Sequence, residues 1–225
     1  MNRHVIIPAA GMGSRLGLNM PKAAVKIEGK PIIQWQLEMI GKETPVTVIV
    51  GYGGDIVGEI IEDLKMPNVL VKMNSLYDKT TVVDSIICGI RYFGEEVVIL
   101  DGDVLIGKED LQYFIKSDKW LIGTRYKSGL ADPVYINENC VQCMVTGFSR
   151  RESKLKNKYG DMRTREWACV CAINSFVFKE GDKYIYRSLE RVLPMRSTVV
   201  DSTEVDTKKD VKKAEKWIRN CFTMI

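Results

Sequence analysis

The first hundred residues alternate short apolar runs with stretches of helical period, and this alternation constrains the fold more than any other feature of the chain. Val5, Ile6 and Ile7 read as a strand that opens onto a glycine-rich loop. From Pro31 to Ile40, apolar residues at 32, 33, 37 and 40 give helical spacing with proline at the start. Residues 46–50 are almost continuously apolar, as buried parallel strands are. Residues 55–64 are helical by period and 69–71 form a short strand. Residues 80–92 predict a helix striped by Val82, Val83, Ile86, Ile87 and Ile90, and 97–100 another buried strand. The order βαβαβαβ implies a mostly parallel sheet with helices on both faces. Ligands of such sheets sit beyond the carboxyl ends of the strands. The glycine-rich loop and Asp101-Gly102-Asp103 both fall on that edge.

The second half is mixed. Residues 119–124 and 133–136 read as strands, Asn137-Glu138-Asn139 as a turn, and 140–147 as the returning antiparallel strand. Residues 149–165 are polar and basic and read as a loop. Strands are expected at 167–173 and 197–200, and helices at 182–192 and 208–220, the last with Thr207 as N-cap. No linker divides the 225 residues, so one α/β domain is expected, its doubly wound first half (1–118) followed by a second half (119–225) with a mixed lobe on the substrate side.

The net charge of +4 does not call for a nucleic-acid partner, and no recognition module for one is present. No apolar run approaches the roughly 20 residues of a membrane helix. The apolar stretch at the start is too short for a signal peptide, which predicts a cytoplasmic protein. Cys140 with Cys143 and Cys169 with Cys171 could in principle hold zinc, but both pairs sit in apolar, strand-like runs and read as small buried hydrophobes. Residues 150–165 carry seven basic side chains against two acidic ones, so the whole positive excess of the chain belongs to this one segment.

The loop reads Pro8-Ala9-Ala10-Gly11-Met12-Gly13-Ser14-Arg15-Leu16, with Pro21-Lys22 further on. It is no Walker loop, because proline precedes Lys22, and no dinucleotide fingerprint, because Leu16 stands where the third glycine belongs. Missing side chains let backbone N–H groups approach phosphate oxygens, while Arg15 offers a planar fork of donors and Lys22 a point charge. That combination suits a triphosphate.

The string Ala-Ala-Gly-x-Gly-x-Arg…Pro-Lys, followed by Gly29-Lys30-Pro31 and a helix, resembles the nucleotidyltransferase superfamily. Leu100-Asp101-Gly102-Asp103 resembles its metal-binding motif, and Glu204-Val205-Asp206-Thr207 before the last helix resembles its second metal-ligand motif. The resemblance implies a Rossmann-like, nucleotide-diphospho-sugar transferase-like fold with a small mixed substrate lobe. Size, Val50-Gly51-Tyr52, and Asn74-Ser75-Leu76-Tyr77 ahead of a helix with Ser85 are similar to the small cytidylyltransferases of the choline-phosphate type; Thr80-Thr81 stands where that group often carries an Asn pair.

What the resemblance implies is in-line attack of an acceptor phosphate on the α-phosphorus of CTP, with release of pyrophosphate. Ala9, Ala10, Gly11, Met12, Gly13 and Ser14 would cradle the phosphates. Arg15 would bind the leaving pyrophosphate, and Lys22 would bridge the two reacting phosphates. Asp103 and Asp206 would hold Mg²⁺, with Asp101 beside the nucleotide. Gly51, Tyr52, Asn74 and Ser85 would surround the base. A phosphocholine-like acceptor needs aromatic faces, for which Trp120, Tyr126, Tyr135 and Trp167 are candidates, with Asp132 or Glu166 to assist an amine. The single histidine, His4, reads as structural. The alternatives are a sugar-1-phosphate nucleotidyltransferase using UTP, dTTP or GTP, and a catalytically silent nucleotide-binding regulatory domain.

Overall fold

A computed structural model describes residues 2–13, 16–130, 132–155 and 162–222. The elements run β1 (His4–Ala9), β2 (Lys26–Ile27), β3 (Lys30–Pro31), α1 (Ile32–Ile40), β4 (Val46–Val50), α2 (Gly54–Asp63), β5 (Val69–Met73), α3 (Val82–Gly89) and β6 (Glu96–Leu100). They continue with β7 (Val104–Ile106), α4 (Lys108–Lys116), β8 (Leu121–Arg125), β9 (Tyr135–Asn139), β10 (Met144–Ser149), β11 (Met162–Asn174), α5 (Ile185–Leu189), β12 (Met195–Val199), β13 (Ser202–Glu204) and α6 (Lys208–Phe222).

The main sheet has nine strands in the order β5-β4-β1-β6-β11-β8-β12-β10-β9. The four strands of the expected βαβαβαβ unit pair in parallel. The long β11 then runs antiparallel to β6 and β8, and its first residues also pair with β9. The pairings β11-β8-β12-β10-β9 thereby close into a ring, the small mixed lobe. Alternate residues along β1 and β6 fill different cores. Val5, Ile7, Val98 and Leu100 pack on one face with α1, α4 and α6, whereas Ile6, Val97 and Ile99 pack on the other with α3 and α5. Burial on both faces explains why these strands lack a polar alternation.

Several expectations change. Asn137, Glu138 and Asn139 lie in β9, and the turn falls on residues 140–143, where the Asn139 side chain accepts from the Val141 and Gln142 N–H groups. Glu138 is buried among Arg163, Arg165 and Ser197, and this pairing overrides the local turn propensity. Cys140 and Cys143 are therefore exposed rather than buried. Residues 162–165 are strand, because the Glu138 ion pairs hold the arginines of β11 against β9. The helix expected at 182–192 shortens to α5 and a following 3₁₀ turn, Glu190–Val192. Helix α4 and the β7–β13 pair were not foreseen. His4 is buried and structural, its Nδ1 3.1 Å from Glu95 and its Nε2 2.8 Å from Thr47.

Candidate active site

The carboxyl ends of β1 and β6 meet at a cavity of about 250 Å³ lined by Pro8, Ala9, Ala10, Gly11, Gly13, Lys22, Asp101, Gly102 and Asp103. Two glycines are obligatory here. Gly13 has φ +61°, and a Cβ there would lie 3.0 Å from the Lys22 side chain. A Cβ on Gly102 would lie 2.9 Å from the Pro8 carbonyl oxygen, so only glycine lets the two strand ends approach. Met12 is exposed. Ser14 and Arg15 lie outside the described residues.

On the side toward α3 the same cavity is lined by Tyr77, Thr80, Thr81, Val82 and Ser85, of which only Ser85 was a sequence candidate. Gly51, Tyr52 and Asn74 stand behind this wall. A Cβ on Gly51 would sit 2.6 Å from Tyr77 Cβ, and the Tyr52 N–H donates to the Ala10 carbonyl at 3.3 Å. The buried Asn74 amide donates to Thr80 Oγ1 (2.9 Å) and Ser85 Oγ (3.0 Å) and accepts from the Leu76 N–H (3.1 Å). Asn74 thus fixes the cavity wall instead of facing the cavity. Thr81 begins α3 through a capping box with Asp84.

Lys22 follows Pro21 in a 3₁₀ turn that aims its ammonium between Asp103 Oδ2, at 2.7 Å, and Asp206 Oδ1. Burial works against the ammonium, but the two carboxylates outweigh it and hold the lysine pKa above its ordinary value. Asp103, Glu204 and Asp206 bring ligand oxygens within 4.8 Å of one another. Such a set of hard carboxylate oxygens could hold a divalent cation. Glu204 was missed as a ligand in the sequence, although it stands two residues before Asp206. Its Oε2 accepts from Arg125 Nη2 at 2.6 Å. Burial and the charge of Asp103 push the Glu204 carboxyl up, against the Arg125 guanidinium. Asp101 is partly buried, and its Oδ1 is buried without a hydrogen-bond partner. Burial and the charges of Asp103 and Glu204 drive its pKa well above the carboxylate range.

A second cavity, of about 180 Å³, shares Lys22, Val82, Asp101 and Asp103 with the first and extends past Glu204 and Asp206 into the mixed lobe. Of the aromatic acceptor candidates only Trp167 lines it. Trp120 lies at the opposite end of β8, against Phe176 at 5.6 Å. Tyr126 is 72% exposed beneath the Arg165 guanidinium, and Tyr135 lines neither cavity. The aromatic wall is instead Tyr184 and Tyr186, which the sequence reading overlooked. Asp132 lines the cavity, whereas Glu166 is buried beside it, bonded to Ser128. No cysteine joins a metal-ligand cluster among the described residues.

Residues 5–158, more than half of the chain, match the family model of the MobA-like NTP transferase domain. The chain belongs to this family. It is 34% identical over 101 residues to the bifunctional enzyme IspD/IspF of Tropheryma whipplei, matching 43% of this chain and 23% of the relative. It is 25% identical over 195 residues to the bifunctional protein GlmU of Fervidobacterium nodosum, matching 84% of this chain and 39% of the relative. The chain thus spans well under half the length of these relatives. Among solved structures, the inositol-1-phosphate CTP transferase from T. maritima superposes with a TM-score of 0.71 at 17% identity, covering 97% of this chain and 96% of the other. The CTP:phosphocholine cytidylyltransferase from Streptococcus pneumoniae gives 0.70 at 17% identity, covering 97% and 100%. A putative glucose-1-phosphate thymidylyltransferase from Bacillus anthracis gives 0.72 at 14% identity, covering 97% and 95%. The fold of this NTP transferase domain is therefore that of the nucleotide-diphospho-sugar transferases. No helix among its described residues is long and apolar enough to cross a membrane.

Proposed function

We propose that this chain transfers a nucleotidyl group from a nucleoside triphosphate to a small phosphorylated or phosphonylated acceptor. The observation that carries this reading is the junction of two cavities at Lys22 and Asp103. One cavity is walled by the glycine loop and the other by the mixed lobe, so two anionic substrates can meet at one ammonium. Residues 1–118 supply the nucleotide side and most of 119–225 the acceptor side.

An acceptor phosphate oxygen forms a bond to the α-phosphorus. The bond from that phosphorus to the bridging oxygen breaks, and pyrophosphate leaves with the electron pair. The attacking oxygen is already anionic, so no general base is needed. The chain contributes positioning and charge. Backbone N–H groups between Ala10 and Gly13 receive phosphate oxygens. Lys22, kept charged by Asp103 and Asp206, stands where both reacting phosphates can reach it. Arg15 takes the leaving pyrophosphate, as the family resemblance implies. Asp103, Glu204 and Asp206 would hold Mg²⁺, which when bound neutralises phosphate charge.

CTP is the donor favoured by the resemblance to small cytidylyltransferases and by the two CTP-using enzymes of the same fold. A sugar-1-phosphate nucleotidyltransferase using UTP, dTTP or GTP is the second reading, supported by the similarity to GlmU over most of the chain. A silent regulatory domain is disfavoured because Lys22, Asp103, Glu204 and Asp206 converge. The test is pyrophosphate release with Mg²⁺, each of the four triphosphates and a panel of phosphorylated acceptors. The proposal expects release that Asp103→Ala abolishes. No release in any pairing, or release unchanged by that substitution, overturns it.

A further inference from the structure

In the wall of the second cavity that the first does not share, Tyr184 and Tyr186 stack with centroids 5.3 Å apart and planes 11° from parallel. Such faces are what a quaternary ammonium would require. Here they are already taken by cations of the chain itself. The Arg150 guanidinium lies 5.0 Å from the Tyr184 centroid and 5.7 Å from that of Tyr186. Lys183 stands 5.4 Å over Tyr184, and Arg187 stands 5.2 Å over Tyr186. A ligand cation would have to join three like charges on two rings.

Arg150 is the only basic residue of the described part of segment 150–165 that lines the cavity. Arg163 and Arg165 are held by Glu138 on the far strands. Arg150 Nη1 lies 2.7 Å from the Asp132 carboxylate and 3.2 Å from its main-chain oxygen. The Asp132 side chain is 49% exposed and that of Arg150 36%. An ion pair this open contributes little by itself. Exchanging one oxyanion for another at the guanidinium therefore costs little, and the rings keep the guanidinium in position while the partner changes.

We infer that the acceptor carries a second oxyanion, a carboxylate or a phosphate, on the tail beyond its reacting phosphate, and that Arg150 on the Tyr184–Tyr186 platform binds it. This rests on the nucleotidyl-transfer reading above. The geometry that serves it is a planar fork held over the two rings, which a lysine ammonium does not reproduce.

The test compares short acceptors that differ in the tail: phosphoglycolate and ethylene glycol bisphosphate (anionic), glycerol 1-phosphate (neutral), phosphocholine (cationic) and a sugar 1-phosphate. Each is assayed by pyrophosphate release with Mg²⁺ and the preferred triphosphate. An anionic tail should raise kcat/KM on the order of ten-fold or more over the neutral and cationic ones, the size of one charge-assisted contact. The two anionic probes separate a carboxylate from a phosphate. Arg150→Gln should erase the preference through KM for the acceptor, and Arg150→Lys should restore only part of it. Triphosphate binding measured calorimetrically without acceptor reports whether the variants are folded. Equal or better turnover of a neutral, cationic or sugar acceptor overturns the inference and leaves nucleotidyl transfer standing. So does an anionic preference that survives Arg150→Gln. No release with any acceptor overturns the transfer reading itself.

Discussion

Lys22 holds its charge although burial lowers its pKa, because Asp103 and Asp206 stand against it and raise it above its ordinary value. A charge fixed in this way is available without reorganisation when two phosphates meet. Lys22→Met should lower kcat by roughly 10²–10³-fold, the usual loss for one preorganised donor at a developing charge. Steady-state assays at saturating substrates check this; a loss confined to KM would mean that Lys22 only binds. Glu204→Gln should raise the Mg²⁺ concentration for half-maximal activity about ten-fold or more, by analogy with losses around metal ligands. A Mg²⁺ titration of activity checks it. At this scale the sequence was legible for Lys22, Asp103 and Asp206, each in a short motif. Glu204 carried a signal that went unused: in an extended segment, residues two apart share a side. Tyr184 and Tyr186 carry the same two-residue spacing, but nothing local distinguishes a cavity wall from a core.

Element boundaries decide the shape of the first cavity's wall at α3. Thr81 both caps α3 and donates to the Asp182 carbonyl at 2.7 Å, tying the helix to the segment before α5. Thr81→Ala should cost about 1 kcal/mol, a fall in Tm of about 2–4 °C for a domain of this size by calorimetry. Gly51→Ala would press a methyl group against Tyr77 Cβ at 2.6 Å and Ala10 Cβ at 2.9 Å. It should raise KM for the triphosphate several-fold and also lower Tm by calorimetry, because Tyr77 Cβ and the buried Ala10 are not flexible side-chain ends that can swing aside. The parallel strands were legible because each is an apolar run buried on both faces. The turn at Asn137-Glu138-Asn139 was misread because local propensity gave way to a long-range pairing: Glu138 receives Arg163 and Arg165 from a strand some 25 residues further along. Helix α4 had a readable stripe in Leu111, Phe114 and Ile115, all buried, within a strongly charged segment.

Across the whole molecule, the two halves are joined at the site and behind it. Asp182 pairs with Arg191 and accepts from Ser188, and these contacts lower its pKa to about 2. A carboxylate depressed in the folded state adds stability at pH values above 3.8, its ordinary value, and loses it as pH falls toward 2. Asp182→Asn should therefore flatten the acid limb of the stability curve in that window and leave its slope near neutrality unchanged; urea unfolding across pH checks it. The positive excess of segment 150–165 was read from composition, but its fate needed the fold: two of its arginines neutralise Glu138, and Arg150 reaches the second cavity. The sheet that makes this possible reverses direction at β11, which no local pattern announces.

The measurement that tests the central claim most directly follows the α-phosphorus itself. A triphosphate labelled at that atom is incubated with the protein, Mg²⁺ and a phosphorylated acceptor, and the label and the pyrophosphate are both counted. The account predicts that the label moves onto the acceptor, one pyrophosphate appearing for each transfer, and that Lys22→Met suppresses both equally. Label released as the free monophosphate, or a triphosphate left intact with every acceptor, would contradict it.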